Sequence, residues 1–169
     1  MAIIGIRRLT WAVEDVPACV QFFTDFGLNL IEDKGDEALF EAADGSQALF
    51  LQIGHPRLPQ NTAQKTKGVH ECVWAVDDAI GMKRLTDRLC QDLDLTTDEE
   101  GIVHFVTRFG QAIALQIWRP RAVFGAPTPQ NTVGRIERLN QPRKWIDRAV
   151  PKRIHHCVWT FPDVQEAVE

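Results

Sequence analysis

Three stretches of the chain alternate apolar and polar side chains in nearly the same words: LTWAVEDV at 9–16, CVWAVDDA at 72–79 and CVWTFPDV at 157–164. Alternation at a period of two predicts a strand with one buried face. Each stretch carries a central Trp, then an Asp, then a helix-like pattern. Trp11 and Trp74 are 63 residues apart, and Trp74 and Trp159 are 85 apart. Self-similarity on this scale marks a supersecondary unit copied along the chain.

In the first unit a strand is predicted over 3–13. Asp15 caps the helix that follows, Pro17 stands in its first turn, where a missing N–H is tolerated, and Gly27 ends it. Val20, Phe22, Phe23 and Phe26 supply its apolar face. Short strands are predicted at 28–32, 38–42 and 48–53, with turns at Gly35 and at Asp44-Gly45. The second unit repeats the order. A strand is predicted at 69–76, then a helix opened by Asp77 or Asp78 and running to about Leu89, with Ile80, Leu85 and Leu89 on one side. Strands near 93–97, 102–107 and 112–118 follow, and the closing phrases ALFLQI (48–53) and AIALQI (112–117) match. Both units therefore read βαβββ.

One such unit leaves a face of its sheet uncovered. Two side by side make a larger sheet whose concave side suits a small molecule. The expected fold is α+β: tandem βαβββ modules forming a curled mixed sheet, a half-barrel cup, with the helices outside. The expected division is module one at 1–54, a polar linker with Pro56 and Pro59 at 55–67, and module two at 68–118. A crossing segment rich in Arg and Pro spans 119–151, and a third module starts at 152–169.

Composition narrows the function. With 169 residues and 44% hydrophobic content the chain can bury one core without disulfides. A net charge of −4 without a basic stripe argues against nucleic-acid binding. No apolar run reaches bilayer length, and the first residues lack the apolar region of a signal peptide, so a cytoplasmic protein is expected. Cys19, Cys72, Cys90 and Cys157 show no CxxC spacing and are expected to be reduced thiols. Cys72 and Cys157 hold equivalent repeat positions, which suggests packing rather than bonding.

Strand alternation assigns faces. Leu9, Trp11 and Val13, then Cys72, Trp74 and Val76, then Cys157, Trp159 and Phe161 are uniformly apolar and should pack against the helices, with the Trp residues as core anchors. The opposite faces carry Arg8, Thr10 and Ala12; Glu71, Val73 and Ala75; and His156, Val158 and Thr160. Arg8, Glu71 and His156 are thus equivalent positions, expected to face the concavity, and only the third holds an imidazole. His70 and His155 fall on the helix side, where a surface or capping role is expected. Within modules one and two, a metal site centred on Glu71, with Gln52, Gln116 or His104 as partners, is the minor alternative, because Arg8 disfavours a cation and a partial ligand set seldom makes a site. Arg8 is expected to pair with Glu71 or, failing that, to hold an anionic ligand. Arg135, Arg138, Asn140 and Arg143 either border a catalytic cavity or form a solvated linker face.

The repeat, the strand phrases ending in Asp and the run HHCVWTFPD at 155–163 together resemble the vicinal oxygen chelate superfamily, which includes glyoxalases, bleomycin-resistance proteins and type I extradiol dioxygenases. Within it the likeness is to extradiol ring-cleavage dioxygenases of the dihydroxybiphenyl type. EDVPACVQFFTDFGL (14–28) is similar to their first strand-helix-turn, GDEALF (35–40) to the second hairpin and WRPRAVF (118–124) to the exit into the interdomain crossing. Those enzymes have four modules, an N-terminal pair without metal and a C-terminal pair with it. The resemblance implies that His156, seven residues before Asp163, is a metal ligand, and that a second His and a Glu would lie beyond Glu169. It implies Fe(II), or Mn(II), in the complete protein and no metal in modules one and two. Its substrates would be a catechol-like aromatic and dioxygen, and a homo-oligomer is compatible with the exposed module edges. The chain would then be a fragment of a protein of double length, or a naturally incomplete and inactive one. Two alternatives come from other classes. One is a non-enzymatic small-molecule binding module of the bleomycin-resistance kind. The other, a glyoxalase- or epimerase-like enzyme assembled by dimerisation, is disfavoured by the missing ligands at Arg8 and on both closing strands.

Overall fold

The structure is a computed structural model and describes residues 2–124, 131–136, 150–161, 163 and 165–166. Along it run β1 (Ile3–Val13), α1 (Val16–Phe26), β2 (Asn29–Asp33), β3 (Glu37–Glu41), β4 (Gln47–Gln52), β5 (Gly68–Val76), α2 (Ala79–Leu89), β6 (Thr96–Thr97), β7 (Val103–Val106) and β8 (Ala112–Ile117). The strands form one open mixed sheet in the order β2-β3-β4-β1-β5-β8-β7-β6. Each opening strand runs parallel to its own closing strand, β1 to β4 and β5 to β8, and the two opening strands meet antiparallel. At that seam Arg8 pairs with Val73 and Thr10 with Glu71, so the two modules are related by a local two-fold and Arg8 and Glu71 are counterparts.

Local chemistry explains the helices. Asp15 caps α1 by accepting the Ala18 N–H at 2.8 Å, and Gly27, at φ +106°, takes the left-handed turn that ends it. For α2 the cap is Asp78, which accepts the Gly81 N–H at 2.7 Å. The strand expected at 93–97 shrinks to Thr96–Thr97, because the Asp92 and Leu93 amides bond back to the Leu89 carbonyl and extend the helix exit.

The helix side of the sheet is apolar, as alternation predicts. In module one, Val16, Ala38, Phe40, Ala48 and Phe50 are buried with Trp11 and Phe23 packed on them. Phe50 stacks on Trp11 at 5.3 Å and on Phe23 at 4.6 Å between ring centroids. In module two, Val76, Val103 and Leu115 are buried with Trp74, Met82 and Leu85 against them. Three expected core residues face out instead: Phe22 is 61% exposed, Phe26 51% and Ile80 82%. Phe22 and Phe23 are adjacent on a helix and cannot share a face, and Phe23 takes the core while Phe22 stacks on Phe26 outside.

The matching closing phrases are one residue out of register in space. Trp11 pairs with Phe50 and Trp74 with Leu115, so Ala48 corresponds to Ile113 and not to Ala112. A shift of one turns each side chain to the other face. Gln52 therefore follows the helix-side residues and donates to the Glu14 carbonyl at 2.8 Å, while Gln116 shares the concave face with Ala112 and Ala114.

The two connecting segments lie on opposite sides. Residues 55–67 cross the concave side, where Leu58 is buried with Ala12, Leu49 and Leu51. Residues 151–161 run extended over the helix side, without strand pairing. There Ile154, Cys157 and Trp159 pack on Leu9, Cys72 and their neighbours, and the Ile154 amide donates to Ser46 Oγ at 2.9 Å. The four cysteines are free thiols, and burial beside Cys157 pushes the Cys72 thiol up to about 12. Arg135 lies in a short turn bridged to Thr132; Arg138, Asn140 and Arg143 lie outside the described residues. Among the described residues no helix is long and apolar enough to cross a membrane.

Candidate functional site

The concave side holds a cleft of about 720 Å³. Its floor is the seam, where β1 brings Arg8 and Thr10 and β5 brings Glu71. One wall is the linker, with Pro59, Gln60 and Asn61, and the other is module two's outer hairpin, with Asp98 and His104. Asn61 is the only non-glycine residue at positive φ (+57°) among those described, a conformation that asparagine tolerates in tight turns.

The structure brings three polar groups into one chain of hydrogen bonds. His104 Nδ1 lies 2.8 Å from Glu71 Oε1 and its Nε2 lies 3.1 Å from Asp98 Oδ2. Two carboxylate partners require both ring nitrogens to donate, which describes an imidazolium. The hydrogen bond to Glu71 accordingly holds the His104 pKa above its ordinary value, against the effect of burial. Burial alone would raise Asp98, but the bonds from His104 and from the Ile102 amide outweigh it and hold its carboxyl below the usual range. The Asp98 carboxylate also accepts the Glu100 and Ile102 amides at 2.9 and 2.8 Å, so it builds the turn that it occupies. Ile102 is fully buried against Val73 and Ala114 and seats that turn on the sheet.

Arg8 and Glu71 both face the cup, as alternation predicts, but they do not pair. Glu71 is taken by His104, and Arg8 meets Glu100 at 4.0 Å. His70 is buried, at 5% exposure, rather than a surface residue: it sits where the β1–β5 register slips and its Nε2 bonds the Thr66 carbonyl at 2.7 Å, fastening the linker. His155 and His156 are exposed, with ring centroids 5.8 Å apart. His156 does not line the cup. Cys157 and Trp159 turn toward the helix-side core, so His156 and Val158 point away from the sheet. Asp98 was not singled out in the sequence; the signal was a turn residue, in TTDEEGI (96–102), three positions from a Gly at φ +75°.

The cup does not fit a metal. Both His104 nitrogens are committed to carboxylates, a guanidinium shares the floor, and no group of three His, Cys, Asp or Glu among the described residues could hold an ion.

Comparisons with solved structures agree with the fold. The 2,3-dioxygenase LapB from Pseudomonas sp. KL28 superposes with a TM-score of 0.55 at 17% identity, over 72% of this chain and 42% of that one. A catechol 2,3-dioxygenase gives 0.53 at 13% identity, over 74% and 46%. The Mn(II)-bound glyoxalase from Novosphingobium aromaticivorans gives 0.52 at 16%, over 68% and 38%. The chain shares its fold with these two dioxygenases and this glyoxalase. The likeness is one of fold, and the chain spans less than half the length of each of these structures. No protein-family model and no curated protein sequence matches the chain.

Proposed function

We propose that the chain is the metal-free module pair of an extradiol-type catechol dioxygenase, together with the segment that carries its first iron ligand, His156. The observation that carries this reading is the superposition of about seven-tenths of the chain on less than half of two dioxygenases, 42% and 46% of their lengths. A cup whose imidazole is bonded at both nitrogens is what a non-catalytic pair would have. The exposed His156 ring, on a segment whose alternate side chains are anchored in the core, is open to further ligands. In the complete protein His156 would bind Fe(II) or Mn(II), an ion that can hold a catecholate and dioxygen together. The module pair supplies a rigid sheet on which that segment is seated.

The test uses protein made from the complete reading frame, supplied with ferrous iron, air and a catechol. The expected result is a yellow ring-opened product and one tightly bound iron per chain. His156→Ala should lower turnover by more than about a hundredfold, beyond the loss typical of changes around a metal's ligands, and abolish tight iron binding while leaving the circular dichroism unchanged. Turnover retained in His156→Ala removes this residue from the proposal.

A further inference from the structure

Arg8 is a cation that the fold places on the floor of the cup and leaves short of counter-charge. Its side chain is only 13% exposed, and the nearest carboxylate among the described residues, Glu100, lies at 4.0 Å and is itself 65% exposed. Arg8 Nε and the Thr10 hydroxyl, two residues apart on the same face of β1, are buried without a hydrogen-bond partner. Glu71 stands across the seam from Thr10 and would be the natural counter-ion, but it is engaged with His104. Removing a guanidinium from water without a well-placed anion is unfavourable. Arg8 is therefore arranged to meet an anion that comes from elsewhere, and Glu100 is a loose stand-in for it.

The geometry points to a ligand site: the cup binds a small organic monocarboxylate, whose head group takes Arg8 and displaces Glu100. The planar fork of a guanidinium matches a carboxylate in two parallel hydrogen bonds. Leu49, Pro59, Leu93 and Val106 line the cleft and suit an apolar body. One negative charge is favoured over two, because Asp92 and Asp94 also line the cleft and repel a dianion. The other two cations of the cleft are already engaged, His104 by Glu71 and Asp98 together and Arg57 by Glu37 at 2.8 Å, which leaves Arg8 for the ligand. A cleft of about 720 Å³ is of small-molecule size. The site is one-sided, since the two-fold puts Glu71 at the place that Arg8 holds in module one.

This site does not depend on the dioxygenase reading, and its test contains no iron, so either idea can fail alone. The 169-residue chain is titrated calorimetrically with benzoate, with the uncharged benzamide of the same shape, and with the dianion phthalate. Benzoate is expected to bind at least about tenfold more tightly than benzamide, as a charge-assisted pair requires, and more tightly than phthalate. Arg8→Gln should remove at least about tenfold of the benzoate affinity. Glu100→Gln lies on an exposed turn, so the fold survives it, and it should tighten benzoate several-fold by removing the stand-in. If Arg8→Gln fails to fold, Glu100→Gln decides. No binding of benzoate, equal binding of benzoate and benzamide, phthalate binding as tightly as benzoate, or Glu100→Gln without effect would each overturn the site.

Discussion

Modules one and two share a topology and use it in opposite ways. On the helix side module one is aromatic, with Trp11, Phe23 and Phe40 each in ring contact with Phe50, whereas module two fills the same layer with Trp74, Val76, Met82 and Leu115. On the concave side module one is closed by leucines, Leu39, Leu49 and Leu51 under Leu58 of the linker. Module two turns Glu71 and His104 into the same space. Thus module one is mainly a packed support that adds Arg8 and Thr10 to the floor, and module two carries the hydrogen-bonded carboxylates and imidazole. A duplicated unit need conserve only its strand pairing, because side chains on the two faces of a sheet are set independently by alternation.

The largest break in this comparison should come from the aromatic layer. Phe50→Ala removes a 3% exposed ring that touches three other rings and should cost about 3–5 kcal/mol, read as a shift of the urea midpoint. Leu115→Ala, its counterpart in module two, should cost less, near the lower end of the about 2–5 kcal/mol range for buried leucines. Equal costs would mean that the aromatic layer adds nothing special.

A medium effect distinguishes the turns before the closing strands. Gly45 and Gly110 are counterparts, both left-handed at φ +93° and +82°. A Cβ on Gly110 would meet the backbone nitrogen of Ala63 at 2.8 Å, where the linker bonds the turn, whereas one on Gly45 would meet the Trp118 side chain at 3.2 Å. Backbone cannot yield as a side chain can. Gly110→Ala should cost about 2–3 kcal/mol and Gly45→Ala about 1–2 kcal/mol, estimated from left-handed strain plus the clash. The reverse order in thermal unfolding would show that the linker is not pinned there.

The smallest effect is electrostatic and confined to module two. His104 is held above its ordinary 6.5, so its contribution to stability is complete below that pH and is lost as pH rises through the raised value. Asp98 is held below its ordinary 3.8, so its contribution is complete above 3.8 and is lost as pH falls. Between those two values the pair contributes in full. His104→Gln should therefore cost about 1–2 kcal/mol near pH 5.5, and the difference from the parent should shrink as pH rises toward 9. A constant difference in melting temperature across that range would contradict the imidazolium.

Much of this was legible in the chain. Alternation assigned Trp11, Trp74 and Cys72 to the helix side and Arg8 and Glu71 to the cup, because a period of two leaves no other choice once one face is apolar. The helix caps at Asp15 and Gly27 were readable because they act within a few residues. The closing words ALFLQI and AIALQI match by identity, whereas the count from Gly45 and Gly110 sets them one position apart, and the strand pairing follows the count. Glu71 and His104, 33 residues apart, were paired in the sequence only as possible metal ligands and meet instead in a hydrogen bond, while the bond between His104 and Asp98 depends on a turn that no local pattern announced.

Sequence alone determined the repeat, the βαβββ order and the faces of the opening strands, since the repeat is a likeness of the chain to itself and the other two follow from periods of a helical turn or of two residues. Tertiary structure decided which carboxylates His104 would bind, that Arg8 would lack a firm partner, and that residues 151–161 would lie over the helix side of the sheet with His156 outward. Those outcomes depend on which distant strands meet and at what register, and hydrogen bonds and ion pairs are made only between groups that the completed sheet has brought within a few ångströms.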